Sequence, residues 1–252
     1  MTIATATARR PRAYVRVKGP NAIDYLNRML SNDVPESGSV DALLLTPKAR
    51  VIAPLLVWRR GEDDVLLLTE PELGEVVAAQ LTRMRFAAKC EIEPEEHTST
   101  IVLGEREGIP NRDYGVPAVE LLDSDLEGEA DLERLRIEAA TPRYGREIDD
   151  RVLPAEAGLD ERAISFSKGC YPGQEPVARQ HHRGKVNRRL RVLEVDGAPE
   201  PETPVVLDGK DVGRVTSAVP GVALAYVRVE VPEDATLDVG GSTATLRRSP
   251  RP

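Results

Sequence analysis

Only two cysteines and three histidines occur among the 252 residues, and each scarcity excludes a chemistry. Cys90 and Cys170 are far apart with no C-x-x-C pair, which argues against a disulfide-stapled secreted fold and makes a reducing cytoplasm the expected location. His181 and His182 are adjacent, so on a helix their side chains point about a third of a turn apart, and no second ligand cluster accompanies them. No metal site is expected. The longest apolar run, "VIAPLLVW", is far short of the roughly 20 residues of a membrane span. The leader "MTIATATARRPR" has threonines where a signal peptide needs an apolar stretch, and it reads as a frayed end. P-loop, G-x-G-x-x-G, G-x-S-x-G and H-E-x-x-H patterns are all missing, which removes the common nucleotide and hydrolase signatures.

The charge balance excludes one partner and suggests another. A net charge of -8 disfavours nucleic acid, whose binders gain affinity by neutralising phosphates. Between Lys168 and Arg191, however, Arg179, Arg183, Lys185, Arg188 and Arg189 join those two cations against the single acid Glu175. Such a block is either a solvated basic face or a surface for an anionic small ligand.

Hydrophobic periodicity divides the chain. "AYVRVKG" alternates as a strand, and "PNAIDYLNRML" places Ile23, Leu26 and Leu30 at helical spacing behind a possible Asn21 cap. "VDALLLTP", "RVIAPLLVWRR" and "VLLLTE" read as antiparallel strands, "PELGEVVAAQLTRMRF" as a helix and "KCEIEP" as a strand with Cys90 as an inert buried thiol. "TIVLG" and "AVELL" begin a second strand run, followed by a helix over about residues 128–140. From Arg188 onward, short strands separated by Gly, Pro and Asp turns predict a small antiparallel barrel or sandwich.

The densest local chemistry lies in "SFSKGCYPGQEPVARQHHRGK". Gly169 and Gly173 permit backbone angles that residues with a Cβ resist, and Tyr171-Pro172-Gly173-Gln174 has the Pro-Gly centre of a type II turn. Cys170 is thereby presented on a loop. A neighbouring cation, Lys168, favours the thiolate, and a helix beginning at Pro176 would add its N-terminal dipole. Read locally, Cys170 is either a reactive thiol or a small apolar residue near a turn. Farther upstream, "RIEAATPRYGREI" carries Glu138 at a helix end and Tyr144 in the turn beyond it. The carboxylate has two readings: an acceptor for the paired N–H edge of a heterocycle, or a surface partner of Arg134.

"KGCYPGQEPVAR" resembles the K-G-C-Y-x-G-Q-E signature of the YgfZ-type folate-binding proteins, a branch of the aminomethyltransferase superfamily connected with iron-sulfur cluster assembly or repair. "VKGPNAIDYLNRMLSNDV", "LLLTPKARVIAPLLV", "LPAEAGL", "GRVTSAV" and "ALAYVR" extend the resemblance along the chain. It implies an α+β, three-domain cloverleaf of the aminomethyltransferase type, two α+β domains plus a C-terminal small antiparallel β-barrel. Residues 1–30 with 97–186 would form a discontinuous domain carrying the Lys-Gly-Cys-Tyr motif, 31–96 a middle ferredoxin-like domain, and 187–252 the barrel.

The resemblance also implies tetrahydrofolate or a derivative as cofactor, in a central pocket. Glu138 matches the glutamate that contacts the pterin in the aminomethyltransferases, with Cys170 and Lys168 as the functional pair near the pocket mouth. Tyr144, Gly169, Tyr171, Gly173, Gln174, Glu175 and Arg179 are the accompanying folate-binding candidates, and the basic block would meet the folate glutamate tail. The implied partners are iron-sulfur proteins or their assembly machinery, and the expected state is a monomer without membrane or nucleic-acid contacts. One departure bears on activity: where the glycine-cleavage aminomethyltransferases carry acidic residues, one of them catalytic, this chain has Ala53-Pro54. That favours a folate-binding accessory protein over a tetrahydrofolate-dependent aminomethyltransferase or demethylase. A third reading is a binding module whose folate pocket is vestigial.

Overall fold

The computed structural model describes residues 6–184 and 186–247, without the Arg183 side chain. Lys185 of the basic block, residues 1–5 of the leader and the closing "RSPRP" lie outside the described residues. The chain divides into two compact units, the first made of residues 1–112, 116–130 and 159–179, the second of 113–115, 131–158 and 180–252.

In the first unit the elements run β1 (Thr7–Arg9), β2 (Ala13–Lys18), α1 (Ala22–Met29), β3 (Gly38–Leu45), β4 (Val51–Arg59), β5 (Asp64–Thr69), α2 (Gly74–Met84), β6 (Glu91–Glu95), β7 (Ser99–Leu103), β8 (Ile109–Pro110) and β9 (Ala118–Leu122). They make two antiparallel sheets, of order β3-β4-β5-β2-β6 and β1-β7-β9-β8. The uninterrupted apolar run of β5 follows from its position. Leu66 and Leu68 meet Tyr14, Leu56 and Ile109 in one cluster, which joins the two sheets, and the intervening Val65 and Leu67 are equally inaccessible. Pro54 is accommodated because it lies beyond the β4–β5 ladder, which begins at Leu56, and its carbonyl accepts from Thr69 Oγ1 at 2.8 Å.

Three sequence expectations change here. The leader is not frayed from Thr7 on: Thr7, Ala8 and Arg9 pair with Val102, Ile101 and Thr100, because the edge of β7 offers backbone partners that periodicity in so short a segment cannot reveal. The buried face of α1 is Ala22, Tyr25, Leu26 and Met29 rather than one built on Ile23. Asn21 does not cap this helix through its side chain; its Oδ1 accepts from Lys89 N at 2.9 Å.

The first unit continues with α4 (Asp160–Ala163) and the start of α5 (Gln174–Arg183). The second unit holds α3 (Leu132–Glu138), shorter than the expected 128–140 and capped by Asp131, which accepts from Arg134 N. Its remaining strands are β10 (Arg188–Val195), β11 (Pro204–Leu207), β12 (Lys210–Val219), β13 (Val222–Arg228), β14 (Thr236–Val239) and β15 (Ser242–Leu246). They close into a six-stranded barrel of order β10-β13-β12-β11-β14-β15, with Leu193 opposite Leu246 at the seam. Closure removes the exposed strand edges, and Val205, Val215, Ala225, Leu237 and Ala244 fill the interior. Among the described residues no helix is long and apolar enough to cross a membrane.

Candidate functional site

The segment from Ala163 to Gln174 is held by the few residues that follow α1. Ser31 Oγ donates to Ala163 O at 2.7 Å and accepts from Leu43 N at 2.7 Å, while Ser31 O accepts from Ser165 N at 2.9 Å. The Lys168 side chain is 1% exposed, and its Nζ donates to Leu30 O at 2.8 Å and Asn32 O at 2.9 Å, with Asp33 Oδ1 at 3.7 Å. Leu30 is the C-cap of α1, so a buried cation meets the carbonyl end of a helix dipole. Burial lowers the Lys168 pKa, and Asp33 partly offsets that effect. The same ammonium lies 5.5 Å from the ring centroid of buried Tyr171, whose phenol burial pushes up.

Beyond Cys170 the chain turns as the Pro-Gly step predicts. Gln174 N donates to Tyr171 O at 3.2 Å across the turn, and Gly173 takes φ +85°, the value a type II turn needs at its third position. A Cβ at 173 would meet Thr46 O at 2.6 Å, so glycine also permits close approach to the turn joining β3 and β4. Gln174, rather than Pro176, opens α5, and Pro176 occupies its third position, where a missing N–H is still harmless. Gln174 Nε2 donates to Lys168 O at 3.4 Å. The loop is thus fastened at Lys168 and at Gly173, while Gly169 and the free Cys170 between them are exposed.

The other candidates fall in different surroundings. Glu175 and Arg179 form an exposed ion pair of 2.7 Å one turn apart on α5. The cations of the basic block that the structure describes mostly have partners: Arg188 reaches Glu156 at 3.2 Å and stacks 4.7 Å from the Tyr226 ring, and Arg191 lies 3.8 Å from Glu233. His181 and His182 contact each other edge to face at 5.1 Å. Among the described residues no group of three or more His, Cys, Asp or Glu is arranged to hold a metal ion.

In the second unit, Tyr144 is half-buried and bridges to Ile148, with Gly145 N donating to Ile148 O at 2.9 Å. Glu138, the last residue of α3, is 33% exposed and lies 3.5 Å from Arg134 and 3.9 Å from Arg247. Both separations are ion-pair distances longer than a normal hydrogen bond, so among the described residues the carboxylate accepts no hydrogen bond while two guanidinium groups lie near it.

Residue patterns overlooked a buried polar network in this unit. Glu147 is 1% exposed; it accepts from Arg136 Nη1 at 3.1 Å, Arg143 N at 3.0 Å and Ser217 Oγ at 2.6 Å. Arg136, 2% exposed, also donates to Glu133, Thr141 O and Ser217 Oγ. A β-bulge between Val215 and Ser217 re-aims β12 here, and Tyr226 OH donates to Glu147 O at 2.8 Å. The network ties α3 to the barrel wall. One sequence signal was available: Arg136 falls four residues after buried Leu132, on the same helical face, and a buried arginine requires an acid.

Comparison with known proteins agrees with this architecture. Residues 187–251 match the family model described as the CAF17 C-terminal β-barrel domain. The barrel is thus similar to that domain. The crystal structure of the glycine cleavage system aminomethyltransferase T from Bartonella henselae superposes with a TM-score of 0.83, 19% sequence identity and coverage of 97% of this chain and 85% of that one. The chain therefore has the aminomethyltransferase fold, as expected from its motifs. Among curated relatives, an aminomethyltransferase of Moorella thermoacetica is 27% identical over 81% of this chain and 71% of its own length. The mitochondrial iron-sulfur cluster assembly factor IBA57 of Mus musculus is 27% identical over 87% of this chain and 76% of its own.

Proposed function

We propose that this protein is a tetrahydrofolate-binding accessory factor for the assembly or repair of iron-sulfur proteins, with Cys170 as its functional thiol. The observation that carries the reading is the mounting of Cys170: an exposed, free cysteine on a short loop fastened on both sides by Lys168 and Gly173. A relative named for iron-sulfur cluster assembly supports the role. Folds alone do not transmit function, so the weight rests on these residues.

The residues present suit a folate. A carboxylate with both oxygens free of hydrogen bonds can accept the parallel N–H pair of a pterin, and among the described residues Glu138 offers such a group. When bound, tetrahydrofolate supplies amine nitrogens able to accept a one-carbon unit. This chain's contribution is to hold the pterin edge at Glu138 and to present the Cys170 sulfur from a fixed backbone. Aminomethyl transfer is the weaker reading, because Ala53 and Pro54 occupy the β4 positions where the glycine-cleavage enzymes carry acids, and Ala53 is fully buried.

The test is a tetrahydrofolate titration of the wild type and Glu138→Ala, paired with complementation of an iron-sulfur enzyme defect by Cys170→Ala. We expect saturable binding that Glu138→Ala weakens about tenfold or more, the loss of a charge-assisted pair. Failure of the wild type to bind folate refutes the ligand, and full complementation by Cys170→Ala refutes the thiol role.

A further inference from the structure

The chain has two phenylalanines, and one of them is presented to solvent at a backbone cost. Phe86, two residues after α2, is 84% exposed and sits at φ +46°. A bulky residue in the left-handed region is a local outlier, since glycine would take the same turn without steric conflict. The corner around it is firmly built. Arg85 Nη1 donates to Cys90 O at 2.9 Å, Ala88 N to Arg85 O at 2.9 Å, and Lys89 N to Asn21 Oδ1 at 2.9 Å.

Beside this corner, in the same unit, lies a cleft of about 550 Å³ whose lining includes Lys18, Pro20, Arg85, Lys89, Cys90 and Glu91. Lys18 and Lys89 are exposed and make no side-chain ion pair or hydrogen bond among the described residues, in a chain where acids outnumber basic residues 42 to 34. An exposed aromatic on a rigid turn, next to unpaired cations, has the makings of a binding anchor with a charged rim. Strain kept where a glycine would serve points the same way.

We infer that the corner between α2 and β6 is a docking surface for an acidic protein segment. An apolar side chain of the partner packs on Phe86 while its carboxylates meet Lys18, Arg85 and Lys89. Three cations beside Glu91, on a protein of net charge -8, favour a short acidic peptide over a polyanion whose affinity needs many neutralised phosphates. The inference does not depend on folate binding or on Cys170.

The experiment uses the full chain and fluorescein-labelled peptides of equal length that repeat Glu-Glu-Leu, Glu-Glu-Gly or Lys-Lys-Leu, followed by anisotropy at low and high salt. The Glu-Glu-Leu peptide is expected to bind best and to weaken with salt. Phe86→Gly and the double variant Lys18→Glu/Lys89→Glu should each weaken it about tenfold or more. Phe86→Gly should at the same time raise the melting temperature, which separates loss of contact from loss of fold. The inference is overturned if the peptide does not bind, if the Lys-Lys-Leu peptide binds as well, or if both variants retain wild-type affinity. Preferential binding of single-stranded DNA or of anionic lipid vesicles, or Phe86-dependent self-association in sedimentation velocity, would overturn it in favour of those partners.

Discussion

Replacing Lys168 by methionine separates two roles for this residue: a cation that activates the Cys170 sulfur, and an anchor that holds the loop in place. Methionine keeps an unbranched stem and removes the ammonium, leaving Leu30 O and Asn32 O without their donor. A buried acceptor left unsatisfied costs about 1–3 kcal/mol. Leu30 is fully buried and Asn32 only partly so, which places the loss near the middle of that range for the first and lower for the second. Removing a lysine whose charged form burial already disfavours returns part of the cost. The net loosening is about 2 kcal/mol, or roughly a 30-fold rise in the open population of the loop. Hydrogen exchange at the Ser165 and Gln174 amides, whose acceptors are Ser31 O and Tyr171 O, reads this opening directly. Iodoacetamide labelling of Cys170 reads the other role. An anchor predicts faster amide exchange with alkylation of Cys170 unchanged or faster. If Lys168→Met instead slows alkylation about tenfold and leaves both amides protected, the ammonium acts on the sulfur and the anchoring argument fails.

Three further outcomes follow from other parts of the structure. Arg136→Met leaves Glu147 buried without its cation and should cost about 3–5 kcal/mol in urea unfolding, with the double variant Arg136→Met/Glu147→Leu recovering at least half; equal losses in the two would show that the pair contributes nothing specific. His97 lies between Asp123 at 2.7 Å and Glu95 at 3.0 Å; burial of the ring is the largest single effect and lowers its pKa, but the two carboxylates together prevail and raise it. The stability it contributes is therefore fully present below about pH 6.5, the ordinary imidazole value, and lost as pH rises through the raised one, so the melting-temperature gap between wild type and His97→Ala should shrink from pH 6 to pH 9. A constant gap would contradict that sign. Mild alkylation at neutral pH should modify Cys170 at least about tenfold faster than Cys90, which is buried and whose thiol pKa burial pushes up; equal rates would mean that Cys170 is not presented as the structure shows.

The parts legible in advance were those dictated by neighbours in the chain. The turn at Pro172-Gly173 needs only a ring that presets φ and a residue free to take positive φ, and it forms as expected. The alternating strands of the barrel and the burial of Cys90 are also local, since periodicity and side-chain size suffice to indicate them. Glu138 beside Arg134 is a one-turn helix contact, and this too was readable.

The remaining features depend on residues distant in the chain. Nothing near Lys168 indicates that its ammonium meets carbonyls at Leu30 and Asn32, because that contact arises only when the loop packs against the end of α1. Thr7 becomes a strand residue only when β7 offers an edge. Glu147 can be buried because Arg136, Ser217 and Tyr226 converge on it from a helix and two barrel strands. By itself the sequence determined which segments alternate, which turn and which residue carries the exposed thiol. The tertiary structure alone decided which charges are buried and with whom, since desolvating a charge is tolerable only where partners from elsewhere in the chain arrive with the right geometry.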